Sequence, residues 1–193
     1  IKLYCEVVNW YYTLLVVYAS HLSFLLFSNK KVLKINAYTG TDMAKLDLNS
    51  LDDEHVKLLI NELKYPETHI DVNELKTIVA SRINERQEII SFKLGIKYLL
   101  TIKRGNIEKD RFSISIIFKD TYHTLVRIDI NGGTHDNPDG TIAPKSHIHI
   151  YNDKYDKKDR FAYEINLKDF PDIYYLYNVY MSFLEYNNIK DLE

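Results

Sequence analysis

Cysteine is almost missing from this chain: of 193 residues, only Cys5 carries a thiol. A single thiol excludes an internal disulfide framework and a cysteine-built zinc site. Glycine and proline are scarce as well, at 6 and 4 residues, too few for collagen-like or low-complexity material. Neither sign of charge dominates. Lys and Arg number 25 against 27 Asp and Glu, a formal net charge of −2, so the surface as a whole is no platform for a polyanion. What the chain does have is 46% hydrophobic residues, enough to build a core, in a length that suits one ordinary domain.

Charge is also absent locally. Residues 7–29 hold no Asp, Glu, Lys or Arg, and as a helix that run is long enough to cross a bilayer. Lys30, Lys31 and Lys34 behind it would leave the remainder in the cytoplasm. Two other readings stand beside a membrane anchor. One is a buried core helix. The other is translated upstream or partial-frame sequence, since the chain opens on Ile and Met43-Ala44-Lys45 reads like a natural start ahead of a well-capped helix. A signal peptide fits less well, because the small-residue cleavage site is missing. The organisation expected is an apolar segment 1–42 and one cytoplasmic domain 43–193.

Within 43–193, Ser50 precedes Asp52, Asp53 and Glu54, and Val56, Leu59, Ile60 and Leu63 follow at helical spacing, which predicts a helix over 51–64. Asp71 can cap a second helix, with Leu75, Ile78, Val79 and Ile83 on one face and Arg82 and Arg86 around it. After Glu88 the period becomes alternating, predicting strands over 89–94, 96–104, 111–119, 123–130, 147–152 and 161–166. Short links at Gly95, at Gly105 and at 120–122 are of hairpin length. Asp169 and Pro171 open a last helix, with Ile173, Leu176, Tyr177, Tyr180, Phe183 and Leu184 as its buried stripe. The fold class is therefore α+β: an antiparallel meander of five or six strands with two or three helices on one face.

Alternation gives that sheet two unlike faces. Phe112, Ile114, Ile116, Phe118, Val126, Ile128, Ile130, Ile148 and Ile150 belong to the apolar one. Arg111, Ser113, Ser115, Arg127, Asp129, His147, His149 and Tyr151 fall on the other. Four of the seven histidines lie within the twenty-seven residues 123–149. His147 and His149, two apart on a strand, point the same way, roughly 7 Å apart. His135 sits in a glycine-rich loop returning to that strand, and Asn137-Pro138-Asp139-Gly140 is turn chemistry that shapes the loop.

Three readings of this cluster follow. Acid–base catalysis on a phosphodiester would use His135, His147 and His149, with Arg127 binding phosphate, Asp129 orienting a neighbour and Tyr151 positioning substrate, and would need no cofactor. Between residues 93 and 127, eight basic residues face three acidic ones; Lys97, Lys103, Arg104 and Arg111 are the candidates for contacting RNA or DNA. A metal site would take His135, His147 and His149 as ligands, with Asp129 available as another. A structural reading has the histidines simply tying the loop to the sheet. From a different class, a non-catalytic inhibitor would present the loop 132–140 to a host protein.

The fragments Leu125-Val-Arg127-Ile-Asp129, His135-Asp-Asn137-Pro138-Asp139-Gly140 and His147-Ile-His149-Ile-Tyr151 occur in order. In this the chain resembles a family of small, functionally uncharacterised proteins of bacteria and their phages, over residues 51–189. More distantly, the run of Arg-x-Asp, histidine and His-x-His is similar to TumE-type toxins of toxin–antitoxin pairs. That resemblance implies a small toxin acting on RNA, with an antitoxin as partner.

Overall fold

The computed structural model describes residues 46–68 and 82–190. The apolar run 7–29, Met43 and the helix expected behind Asp71 lie outside the described residues. Helix α1 (Asp53–Asn61) starts where its chemistry says it should: the Asp52 carboxylate accepts from the His55 N–H at 2.8 Å, and Asp53 and Glu54 occupy the positive end of the helix dipole. It ends three residues before the expected Lys64, because Lys64 folds back on it. The Lys64 ammonium donates to the carbonyls of Ile60 (3.1 Å), Glu62 (2.8 Å) and Asn187 (2.8 Å), serving the ends of both helices.

Lys64 is fully buried, and burial pushes its ammonium down to about 7. A lowered value in the folded state means that the unfolded chain holds the proton more tightly between about pH 7 and 10.5. The folded state therefore gains stability as pH rises through that window, by about 1.4 kcal/mol per pH unit at most. Lys64→Met lacks this gain. In urea melts at pH 7 and pH 9.5, the gap between the two proteins should move in the wild type's favour at the higher pH; a constant gap contradicts the assignment.

Seven strands form one antiparallel sheet in the order β1-β2-β3-β4-β5-β8-β9. They are β1 (Tyr65–Pro66), β2 (Ile83–Ser91), β3 (Ile96–Arg104), β4 (Phe112–Phe118), β5 (Thr124–Ile130), β8 (His147–Ile150) and β9 (Ala162–Glu164). Between β5 and β8 the chain leaves the sheet to make a separate small hairpin, β6 (His135–Asp136) with β7 (Ile142–Ala143). Alternation sends Phe112, Ile114, Ile116, Phe118, Val126, Ile128, Ile130 and Ile148 to one face. There they share a core with Val56, Leu59 and Ile60 of α1 and Val179, Tyr180, Phe183 and Leu184 of α2 (Leu176–Tyr186). Each fully buried aliphatic side chain contributes about 1.5–3 kcal/mol relative to exposure, so this face dictates the register and leaves the other free for polar work.

The α+β class and the meander stand, with three corrections of detail. The sheet gains a seventh strand, the two-residue β1, which pairs with β2 at Tyr65↔Ile90 and Pro66↔Ile89. Ile83 and Arg86 belong to a strand, not a helix: β2 pairs with β3 along nine residues, from Ile83↔Arg104 to Ser91↔Ile96. Those nine inter-strand rungs outweigh a weak helical period in a Glu- and Arg-rich stretch. The last helix starts at Leu176 rather than at Asp169. Phe170 turns inward to pack on Tyr186 at 5.4 Å, and the Asp172 carboxylate takes the Tyr174 N–H and the Asn178 amide instead of extending the helix. Among the described residues, no helix is long and apolar enough to cross a membrane.

Candidate metal centre

Two transverse rows on the face away from the helices define the site. One runs Lys103↔Ser113↔Asp129↔His147 across β3, β4, β5 and β8; the next runs Thr101↔Ser115↔Arg127↔His149. The His147 and His149 rings stand 4.8 Å apart, centre to centre. His135 comes from the β6–β7 hairpin, and its ring lies 5.5 Å from that of His147 and 5.0 Å from that of His149. Imidazoles from two separate stretches thus converge.

The turn that carries His135 works as its composition suggests. The Gly140 N–H donates to the Asn137 carbonyl at 3.0 Å, with Gly140 at φ +86°, a conformation that glycine adopts without strain. The Asp139 carboxylate accepts from the N–H and hydroxyl of Thr141. Asn137 then clasps the hairpin to the sheet: its amide donates to the Ala162 carbonyl at 2.9 Å and accepts from the Ala162 N–H at 2.8 Å. Ala162 is the β9 partner of His149, so the clasp lies beside the histidines. Gly132 supplies the other close approach, since a Cβ there would meet the Asp129 Cβ at 3.3 Å.

Hydrogen bonds to backbone carbonyls assign the ring tautomers. A carbonyl oxygen only accepts, so the nitrogen facing it carries the hydrogen. His147 Nδ1 faces the Pro144 carbonyl at 2.8 Å, His149 Nδ1 the Phe161 carbonyl at 3.0 Å, and His135 Nε2 the Arg160 carbonyl at 2.9 Å. Each neutral ring keeps one lone pair: Nε2 of His147, Nε2 of His149 and Nδ1 of His135. The Nε2 of His149 is buried without a hydrogen-bond partner, a costly arrangement unless something else comes to it. One nitrogen from each ring lies within 4.8 Å of the others. The Asp129 Oδ2 sits 3.5 Å from His147 Nε2 and 3.4 Å from His149 Nε2.

Charge around the cluster is arranged as a relay of contacts. Arg127 donates from Nε to Asp129 Oδ2 at 3.1 Å and from Nη1 to Asp159 Oδ2 at 2.6 Å. Burial works against ionising Asp129, but the facing imidazoles of His147 and His149 and the Arg127 guanidinium outweigh it and hold the carboxyl well below the usual range. For His147, burial disfavours the cation, yet Asp129 and the Pro144 carbonyl prevail and raise its value. For His149, burial, aided by Arg127, prevails over Asp129 and lowers it.

Three site expectations need correction. Arg127 is not a free cation awaiting phosphate: its Nε and Nη1 are committed to the Asp129 and Asp159 carboxylates. Tyr151 does not face His135, His147 or His149: regular alternation ends with β8 at Ile150, and Tyr151 is buried in the core, edge-on to Phe118 at 6.3 Å and to His123 at 6.2 Å, with its hydroxyl donating to the Leu48 carbonyl at 3.3 Å. Lys97 lies at the far end of β3, paired with Glu67 at 3.2 Å. Lys103, Arg104 and Arg111 do share a cavity of about 710 Å³ with Asp129, His135 and His147. His149, with no exposed surface, closes the cluster from behind. Asp159 is the buried contributor that sequence reasoning missed; it lies in the charge-rich run 153–160, where nothing marks it from its solvated neighbours.

Three imidazoles, in their neutral form, and a carboxylate make a donor set suited to zinc and related divalent transition metals. The carbonyl held by each ring's other nitrogen is the orienting contact that metal-binding histidines commonly make. Comparison with curated proteins and with solved structures returns no match. A family model does match, the family of unknown function DUF6978, over residues 51–189. That span includes every residue of the site, and the chain belongs to this family.

Proposed function

We propose that this protein binds one divalent transition-metal ion, zinc being the natural first choice, through His135 Nδ1, His147 Nε2, His149 Nε2 and Asp129 Oδ2. The observation that carries the reading is that each of the three rings spends one nitrogen on a backbone carbonyl and turns the other inward. A tetrahedral ion with bonds of about 2.0–2.1 Å sets neighbouring donors about 3.3 Å apart. The 3.4 and 3.5 Å from Asp129 Oδ2 to the two imidazole nitrogens match that edge. His135 rides on the small hairpin, so modest torsions bring its lone pair onto the same ion.

With four protein donors in place, a water or substrate oxygen would have to enter from the cavity side as a fifth donor, an expansion that zinc sites can make. Arg127 then positions Asp129, and Asp159 positions Arg127. The competing cofactor-free acid–base reading would use His135 and His147, the two histidines that line the cavity, and zinc uptake separates the two. Tag-free protein stripped with a chelator should take up close to one zinc per chain by calorimetric titration, with a rise in thermal midpoint as the ion binds only the folded state. Uptake that is absent, or equal in a His147→Ala, His149→Ala double variant, removes the reading.

Asn137→Ala tests the clasp. Leaving the buried Ala162 N–H and carbonyl without their partner costs about 1–3 kcal/mol. Asn137 touches no ligand ring and acts only through the backbone of Ala162, so zinc binding should weaken by about tenfold, the low end of the range for direct orienting contacts. Unchanged zinc affinity would mean that the hairpin is not held in place by Asn137.

A further inference from the structure

We infer that the cavity beside this centre takes a phosphate ester of nucleotide size, its phosphate reaching from the ion to the basic wall. The inference rests on the metal reading above. Its volume of about 710 Å³ falls within the usual range for small-molecule sites. Its contents are directional. Asp129, His135 and His147 stand at one end, and Lys103, Arg104 and Arg111 are also in its lining.

The sheet register sets the distance between the two ends. Lys103, Ser113, Asp129 and His147 are consecutive members of one row, and neighbouring strands are about 4.8 Å apart, so Lys103 stands roughly 10 Å from Asp129 at the backbone. The Lys103 side chain is exposed and on the cavity's face of the sheet, and its four-carbon stem bridges part of that span. Ser113, half-buried between them, adds a hydroxyl to the floor. A phosphate oxygen on the ion can thus have a second oxygen within reach of the ammonium.

Arg111 is pre-set at the wall. Its Nη1 bonds to Glu108 and its Nη2 to the Gly132 carbonyl, each at 3.1 Å, which fixes the guanidinium on the loop leading to His135. Ile107, 94% exposed and part of the lining, is an apolar side chain that a base or sugar can cover. Arg82, Lys103, Arg111 and a divalent ion would give the cavity five positive charges against Glu108 and Asp129; Arg104 shares its row with Phe112 and Ile130 and sends its side chain to the other face. An uncharged ligand would leave that field unused.

The test is calorimetry on tag-free, zinc-loaded protein whose metal content is measured in the same sample. The probes are adenosine 5′-monophosphate, adenosine and a single-stranded oligoadenylate of eight nucleotides. The monophosphate should bind at least tenfold tighter than the nucleoside, and Lys103→Ala, an exposed position, should cut that advantage about tenfold. Stronger binding of the oligonucleotide with a steeper salt dependence identifies a strand as the source of the phosphate; equal binding identifies a free nucleotide. Zinc present with no preference for phosphate overturns this inference and leaves the metal reading intact. If zinc fails to bind, the same titrations on metal-free protein decide. Lys103-dependent binding of the monophosphate then upholds the phosphate cavity without the metal, and its absence overturns both.

Discussion

His149→Ala should lower zinc affinity by more than a hundredfold, and His135→Ala by a comparable factor. Removing a ligand from a four-donor site costs more than losing an orienting contact, for which 10–100-fold is usual. The two variants differ in what else they disturb. His149 is wholly buried and its Nδ1–H serves the Phe161 carbonyl, so its loss also opens a cavity and orphans an acceptor. His135 is half-exposed, on a hairpin that Asn137 holds independently. A His135→Ala protein that melts like the wild type yet fails to hold zinc separates ligation from folding. Zinc binding that survives in His135→Ala takes that ring out of the site.

Arg127→Leu should be the most damaging change to stability. It leaves the Asp129 and Asp159 carboxylates, held by one guanidinium at 3.1 and 2.6 Å, without a cation between them. Removing one member of a buried ion pair costs about 3–5 kcal/mol; since Arg127 is partly exposed, the low end applies, a fall in thermal midpoint on the order of 6–12 °C. The effect is pH-dependent in a fixed direction. Asp129 has a lowered value in the folded state, so its contribution is fully present above its ordinary value of 3.8 and is lost as pH falls below it. The deficit of Arg127→Leu relative to wild type should narrow on acidification through that window. A deficit that is small at pH 7, or that widens in acid, contradicts the assignment of Arg127 as the cation of this pair.

The parts of the fold that could be read from the chain are those that local chemistry decides. β3 occupies its expected bounds because Gly95 and Gly105 flank a clean alternation, and His147 and His149 share a face because the period of a strand is two. The turn Asn137-Pro138-Asp139-Gly140 was legible for the same reason. What escaped depended on partners far along the chain. Arg127 carries the pattern of a phosphate binder, and only Asp159, thirty-two residues on, commits it elsewhere. Tyr151 lies one residue past the end of β8, where the alternation that the sequence suggests stops and the core captures the ring. β2 looked helical at its start because the strand that pairs with it enters no local pattern.

The chemistry of the histidines was legible as a cluster and no further. Metal ligation and acid–base catalysis use the same residue type, and both hold one ring nitrogen while leaving the other free; the structure adds which nitrogen is held. That depends on the backbone carbonyls of Pro144, Phe161 and Arg160, and carbonyls leave no trace in a sequence. The same three contacts fix the tautomer of each neutral ring.

X-ray absorption at the zinc edge of the loaded, tag-free protein tests this arrangement most directly. Expected is a four-donor shell with three imidazole nitrogens and one oxygen at about 2.0–2.1 Å, losing one imidazole in His135→Ala. A shell of oxygen donors without imidazole, or one that His135→Ala leaves unchanged, would contradict it.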